Sequence, residues 1–288
     1  MSLCTSEAPA ITAPGRWTEL ASSVGGLRFR HAAREGVGPS LLCIHGVGPG
    51  TTGQANFNPL LAVLPESVPV HLIDLIGFGA SARKPAQPGF DVALWLDQIE
   101  AALDRIGGPA LLVGNSVGGA LALKTAARRD DLQAVLALGA AAAAGDATAE
   151  LKAFWRAPRD REALAAAMAP MTGARSAPSP QLVAERWAAF TDPDYARWFD
   201  ETLADPGACL SAAALTADEA AKIRTPSRIL HGMLDRACPP GPLAELIIQR
   251  LPRADLTLLG GCGHNVIAER TADVVAAITQ LTTRKSTI

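Results

Sequence analysis

The sequence has almost no charge imbalance and few aromatic residues. Lys and Arg total 26 against 28 Asp and Glu, a formal net charge of −2, and no basic block interrupts the chain. Nucleic acids and anionic membranes both select clustered positive charge, so neither is expected as a partner. The five cysteines, Cys4, Cys43, Cys209, Cys238 and Cys262, are odd in number and show no C-x-x-C spacing. That excludes a zinc ribbon and a disulfide framework, and it fits thiols in a reducing cytoplasm. Met1 to Gly15 lacks a charged stretch followed by an apolar one, so no signal peptide is expected. The apolar run from Val135 to Ala144 is far too short to span a bilayer. The expectation is a cytoplasmic protein acting on a small molecule, with homo-oligomerisation left open.

What is present is the material for a core. Hydrophobic residues make up 49% of 288 positions, enough for one large α/β domain with an insertion or for two domains. Leu27 to His31 reads as a short strand. Ser40 to His45 and Val70 to Asp74 read as buried strands ending in Gly-rich turns. Phe90 to Ile106 is helical, with Asp91 as N-cap and a stripe of Leu94, Trp95, Ile99, Leu103 and Ile106. Ala110 to Val113 and Ala134 to Leu138 are further strands. Alternating strands and helices imply right-handed crossovers and a mostly parallel, twisted sheet.

The pattern breaks after Ala140. Helical stretches (Ala149 to Trp155, Arg161 to Met168, Gln181 to Phe190, Tyr195 to Leu203) are punctuated by prolines and hold three of the five tryptophans. Residues 145–222 are therefore expected to form a helical cap over a core made of 1–144 and 223–288. The core pattern resumes with a strand at Ser227 to His231, a helix at Leu243 to Leu251, a strand at Asp255 to Leu259 and one helix from Val266 to Leu281. The tryptophans of the insertion are expected mainly to glue it to the core.

The chemistry concentrates in Gly114-Asn115-Ser116-Val117-Gly118, between a buried strand and an Ala/Leu-rich helix. That is the context of a nucleophile elbow, in which glycines permit a sharp turn and the serine oxygen points into a cleft. A serine hydroxyl needs a base, and a histidine base needs a carboxylate to orient it. His264, in a Gly-rich turn after the last strand, and Asp235, three residues after Gly232, are the candidates. Asp146 is a rival for the acid. His31 and His71 lie within strands, and His45 and His231 precede glycines at strand ends, where they support loops. His45-Gly46-Val47-Gly48-Pro49-Gly50 offers the second oxyanion donor, Val47 N–H, to pair with Val117 N–H at the helix N-terminus.

With these residues in place the chain resembles an α/β-hydrolase over nearly its whole length, with the cap inserted after the sixth strand. Within that superfamily it is similar to the meta-cleavage product hydrolases, which split carbon–carbon bonds in vinylogous 1,5-diketones from aromatic degradation. His45-Gly46-x-Gly48-Pro49-Gly50 with Gly53 and Asn56-Phe57 resembles that family's oxyanion loop. Gly114-Asn115-Ser116-x-Gly118-Gly119 resembles its elbow, and Gln181 to Trp187 resembles the cap helix whose arginine binds the substrate carboxylate. The resemblance implies a Ser116, Asp235, His264 triad, and substrate contacts at Gly46, Asn56, Arg186, Trp187 and Asn265. It implies no metal and no organic cofactor. Two residues depart from the pattern: Asn265 stands where the family has Trp, and Gln54 where an aromatic is common. They keep open an esterase, lactonase or thioesterase; a ligand-binding protein without turnover and a cofactor-independent dioxygenase on the same fold are separate alternatives.

Overall fold

The computed structural model describes residues 17–173, 177–251 and 253–283. Cys4 and the stretch from Met1 to Gly15 lie outside them. The chain opens with four short strands: β1 (Trp17–Glu19), β2 (Ser22–Val24), β3 (Leu27–Phe29) and β4 (His31–Arg34). The single strand expected from Leu27 to His31 is thus two strands, parted at Arg30. β5 (Ser40–Ile44), α1 (Gly53–Leu61), β6 (Val70–Ile73), α2 (Val92–Ile106), β7 (Ala110–Asn115), α3 (Val117–Ala126) and β8 (Ala134–Leu138) follow. Six helices come next: α4 (Ala149–Phe154), α5 (Arg161–Met168), α6 (Pro180–Trp187), α7 (Pro193–Thr202), α8 (Pro206–Ala213) and α9 (Ala217–Lys222). The chain then returns through β9 (Ser227–Gly232), α10 (Pro240–Arg250), β10 (Ala254–Leu259), α11 (Val266–Glu269) and α12 (Thr271–Thr283).

Eight strands form one sheet in the order β1-β4-β6-β5-β7-β8-β9-β10. It is antiparallel from β1 to β6 and parallel from β6 to β10. β8 is the sixth strand of this sheet in chain order, and the helical insertion leaves the sheet there. Both faces are covered, which is why the central strands read as unbroken apolar runs. The period of two is nonetheless visible in the packing. Leu42, Ile44, Leu112 and Val135 meet Trp95 and Ile99 of α2 on one face. Leu41, Cys43, Leu111 and Val113 meet Phe57 and Leu60 of α1, with Val274 and Ile278 of α12, on the other.

Asp91 caps α2, its side chain accepting the Leu94 N–H at 3.0 Å. The helix expected from Val266 to Leu281 breaks at Arg270, whose φ of −136° is not helical. Periodicity misses a one-residue interruption because Val266, Ile267, Val274 and Ile278 stay buried on both sides of it. α1, α8 and α9 were not foreseen. α1 holds Pro59 and α8 starts at Pro206, whereas α9 carries a readable signature, the Thr216/Glu219 capping box. No helix among the described residues is long and apolar enough to cross a membrane.

α9 is tied to α3 by Lys124, whose ammonium reaches the Glu219 carboxylate at 2.7 and 2.9 Å. Lys124 is buried, so loss of Glu219 strands a cation as well as a helix cap. Glu219→Ala is expected to cost about 2–3 kcal/mol in a urea titration, and a cost under about 0.5 kcal/mol would contradict this view of the pair.

Candidate active site

Ser116 occupies the turn between β7 and α3 with φ 55° and ψ −119°. Among the described residues it alone, glycines aside, has a positive φ. Such a conformation costs about 1–3 kcal/mol and persists only where its surroundings enforce it. Here Ser116 N–H donates to Leu138 O at 2.8 Å, and Ser116 O accepts from Gly119, Ala120 and Ala141 N–H. Gly118 lies so close to β5 that a Cβ there would collide with the Ile44 carbonyl. Ends of three strands, β5, β7 and β8, therefore converge to hold one serine.

Asp235 follows β9 and is buried. Its Oδ1 accepts the N–H groups of Ala237 (2.9 Å) and Cys238 (2.8 Å). Its Oδ2 faces His264 Nδ1 at 2.7 Å and His231 Nε2 at 3.1 Å. Burial opposes ionisation, but the charge and hydrogen bond of His264, with His231 Nε2 close by, outweigh it and hold this carboxyl well below the ordinary range. In the same way burial disfavours the His264 imidazolium, while Asp235 beside it and Glu269 nearby push its pKa up overall. Asp146, the rival acid, is exposed. His45 is occupied: its Nε2 accepts Leu75 N–H and its Nδ1 meets Gly46 O. His31 and His71 meet each other at 2.8 Å between β4 and β6, and burial presses the His31 pKa down to about 3.

Ser116 and His264 line one cavity of about 400 Å³, although no hydrogen bond joins their side chains among those of the described residues. With Nδ1 turned to Asp235, Nε2 is the nitrogen left for proton transfer. In the oxyanion loop, Gly46 N–H is already used, donating to Asn56 Oδ1 at 3.2 Å. Val47 N–H and Val117 N–H have no hydrogen-bond partner among the described residues. Trp155, at the end of α4, donates to Val47 O at 2.9 Å and so fixes the peptide that follows Val47. Gly50, at φ 59°, lies against the Arg186 carbonyl of α6, where a Cβ would not fit.

Arg186 is the cavity's distinctive group. It is buried, it has no ion-pair partner among the described residues, and its Nε makes no hydrogen bond. Burial lowers its pKa to about 10, despite Tyr195 and Glu185 nearby. Asn56 and Asn115 line the cavity and share a hydrogen bond at 3.2 Å, and Asn115 Oδ1 is buried without a partner. Asn265 also lines it; its backbone N–H donates to Met171 O, and its side chain makes no cap bond to α11. Trp187 does not line the cavity, which corrects the expectation. It stacks on Phe190 at 6.1 Å, because consecutive residues of α6 point about 100° apart. Gln54 is likewise off the cavity and bonds Asn58, which lines it. Met168, Met171 and Thr172 line the cavity too, and nothing in their local sequence marks them.

Known proteins share the fold that carries this site. Residues 41–278 match the alpha/beta hydrolase family model. The chain is 30% identical over 238 residues to a 2-hydroxy-6-oxo-2,4-heptadienoate hydrolase from Pseudomonas putida, covering 82% of this chain and 86% of that one. It is 29% identical to a 2-hydroxymuconate semialdehyde hydrolase from Pseudomonas sp. strain CF600, covering 80% and 81%. A solved meta-cleavage product hydrolase, CumD from Pseudomonas fluorescens IP01, superposes with a TM-score of 0.82 at 25% identity, over 92% of this chain and 96% of that one. The chain belongs to the alpha/beta hydrolase family, alongside meta-cleavage product hydrolases.

Proposed function

We propose that the protein hydrolyses a carbon–carbon bond next to a ketone in a 2-hydroxy-6-oxo-hexa-2,4-dienoate, a vinylogous 1,5-diketone. One observation carries this reading: a buried guanidinium with no ion-pair partner among the described residues faces the same cavity as Ser116 and His264. A desolvated arginine is costly until an anion pairs with it, and a carboxylate matches its planar fork with two hydrogen bonds. Asn56 and Asn115 bring amide groups to the same cavity for the 2-hydroxy/2-oxo end.

In this reading the dienol first becomes a ketone, and His264 Nε2 helps to move the proton. Ser116, or a water that it orients, attacks the C6 carbonyl. Val47 and Val117 N–H groups hold the oxyanion. The C5–C6 bond then breaks. Its electron pair delocalises as an enolate toward the C2 oxygen and takes up a proton, and the acyl fragment leaves as a carboxylic acid after water is consumed. Asp235 keeps His264 in the tautomer with Nδ1–H. The C–O alternative draws on Asn265, a polar side chain beside the catalytic histidine where an apolar acyl group would find no match. Turnover of short p-nitrophenyl esters without turnover of a dienoate would favour an esterase or lactonase.

Ser116→Ala is expected to lower dienoate turnover roughly 10³-fold or more while the dienoate still binds. The check is loss of its visible absorbance on cleavage, and full activity would overturn the assignment. His264 must be neutral to act as base, and its pKa is raised from 6.5. The acid limb of kcat/KM is therefore expected to have its midpoint above pH 6.5; a midpoint below it contradicts the Asp235–His264 coupling.

A further inference from the structure

Asp235 carries a second imidazole that the mechanism above does not use. His231 is the next-to-last residue of β9 and is fully buried. Its strand is bracketed by β8 and β10, with Leu258 of β10 in register beside it. Its Nε2 faces two oxygens, Cys238 O at 2.7 Å and Asp235 Oδ2 at 3.1 Å. Both are acceptors, so this nitrogen carries hydrogen; it donates to Cys238 O, with Asp235 Oδ2 beside that hydrogen. Nδ1 is buried with no partner among the described residues, as expected for a ring whose hydrogen sits on Nε2.

The carboxylate is closely surrounded. An ionised carboxylate offers about four acceptor positions. The amides of Ala237 and Cys238 take two on Oδ1, His264 takes one on Oδ2, and His231 Nε2 stands 3.1 Å from that same oxygen. The oxygen that orients His264 is thus the one that His231 also faces.

We propose that His231 is a positioning residue for the Asp235–His264 pair: held by Cys238 O, it sets its Nε2–H beside the same carboxylate oxygen that His264 uses, limits that oxygen's rotation and divides its negative charge between two imidazoles. An unshared Oδ2 would accept more strongly from His264 Nδ1 and stabilise the imidazolium more. His231 thus keeps the base from becoming too basic to be neutral near pH 7, where general-base efficiency is greatest. The role rests on Asp235 and His264 being the acid–base pair of the proposed function, but not on which bond is cleaved.

Other charged groups near the pair stay constant when His231 is changed. Glu269 reaches His264 from α11, and the buried thiols of Cys238 and Cys262 are pushed toward the neutral form. Arg236 beside Asp235 is exposed. Arg186 and Glu185 face the cavity from α6, and the cap stretch Met168, Met171 and Thr172 brings no charge.

The test reads the imidazole nitrogens of the whole protein by long-range 1H–15N NMR, without substrate. Wild-type His231 is expected as the tautomer with hydrogen on Nε2 and a bare Nδ1. A hydrogen on Nδ1 with a bare Nε2 would overturn the proposal, and this measurement needs no variant to fold. In His231→Leu the His264 titration is expected to move up by ~0.5 unit or more. In His231→Gln, which restores an N–H near the Nε2 position, it is expected to return toward the wild-type midpoint. An unmoved His264 midpoint in a folded His231→Leu protein would leave His231 as a loop prop through Cys238 O alone and would overturn the proposal. Because no turnover is measured, failure here is separate from failure of the carbon–carbon reading, which dienoate turnover decides.

Discussion

The structure depends on one strained backbone reversal. Ser116 sits at φ 55° because its amide is held by Leu138 O, its carbonyl by the α3 N-terminus and Ala141, and its neighbour Gly118 by the edge of β5. The ties come from the end of β8, the start of α3 and the end of β5, so the serine's place depends on several neighbouring elements of the parallel sheet. The strain is small against the burial of the strands that impose it. In the proposed function the same reversal turns the first amide of α3, Val117, toward the position where charge develops. On that reading strain, nucleophile and oxyanion donor are consequences of one turn.

The helical insertion is built into the loops of the site. Trp155 holds Val47 O, and Gly50 lies on the backbone at Arg186. Met171 O accepts from Asn265, the residue after His264. Glu269 accepts Gly173 N–H at 2.7 Å and Gly263 N–H at 3.2 Å, joining the insertion to the turn that carries His264. The oxyanion loop and the histidine turn each therefore depend on contacts from outside the sheet. A substitution in the insertion can change the chemistry without touching Ser116.

Much of this was legible in the sequence because it is local. The elbow, the strands on both sides of it, Asp235 and His264 follow from glycine spacing and apolar runs of five or six residues. Spacing favours Asp235 over Asp146, and in the structure the first faces His264 at 2.7 Å while the second is exposed. Trp187 was misplaced because a motif match fixes identity but not helical phase. The pairing of His231 with Asp235 was invisible because a strand residue next to a glycine reads as loop support. Only the turn through Met233 and Leu234 brings it back to the carboxylate. Met168, Met171 and Thr172 reach the cavity through tertiary packing that no local pattern encodes.

The central claim is that Arg186 is buried to receive a carboxylate. The most direct measurement is calorimetric binding of 2-hydroxy-6-oxohepta-2,4-dienoate and its methyl ester to the Ser116→Ala protein, with and without Arg186→Gln. The account predicts that Arg186→Gln weakens the free carboxylate by roughly 10- to 100-fold and leaves the ester nearly unchanged. Equal effects on both ligands, or none on the carboxylate, would contradict it.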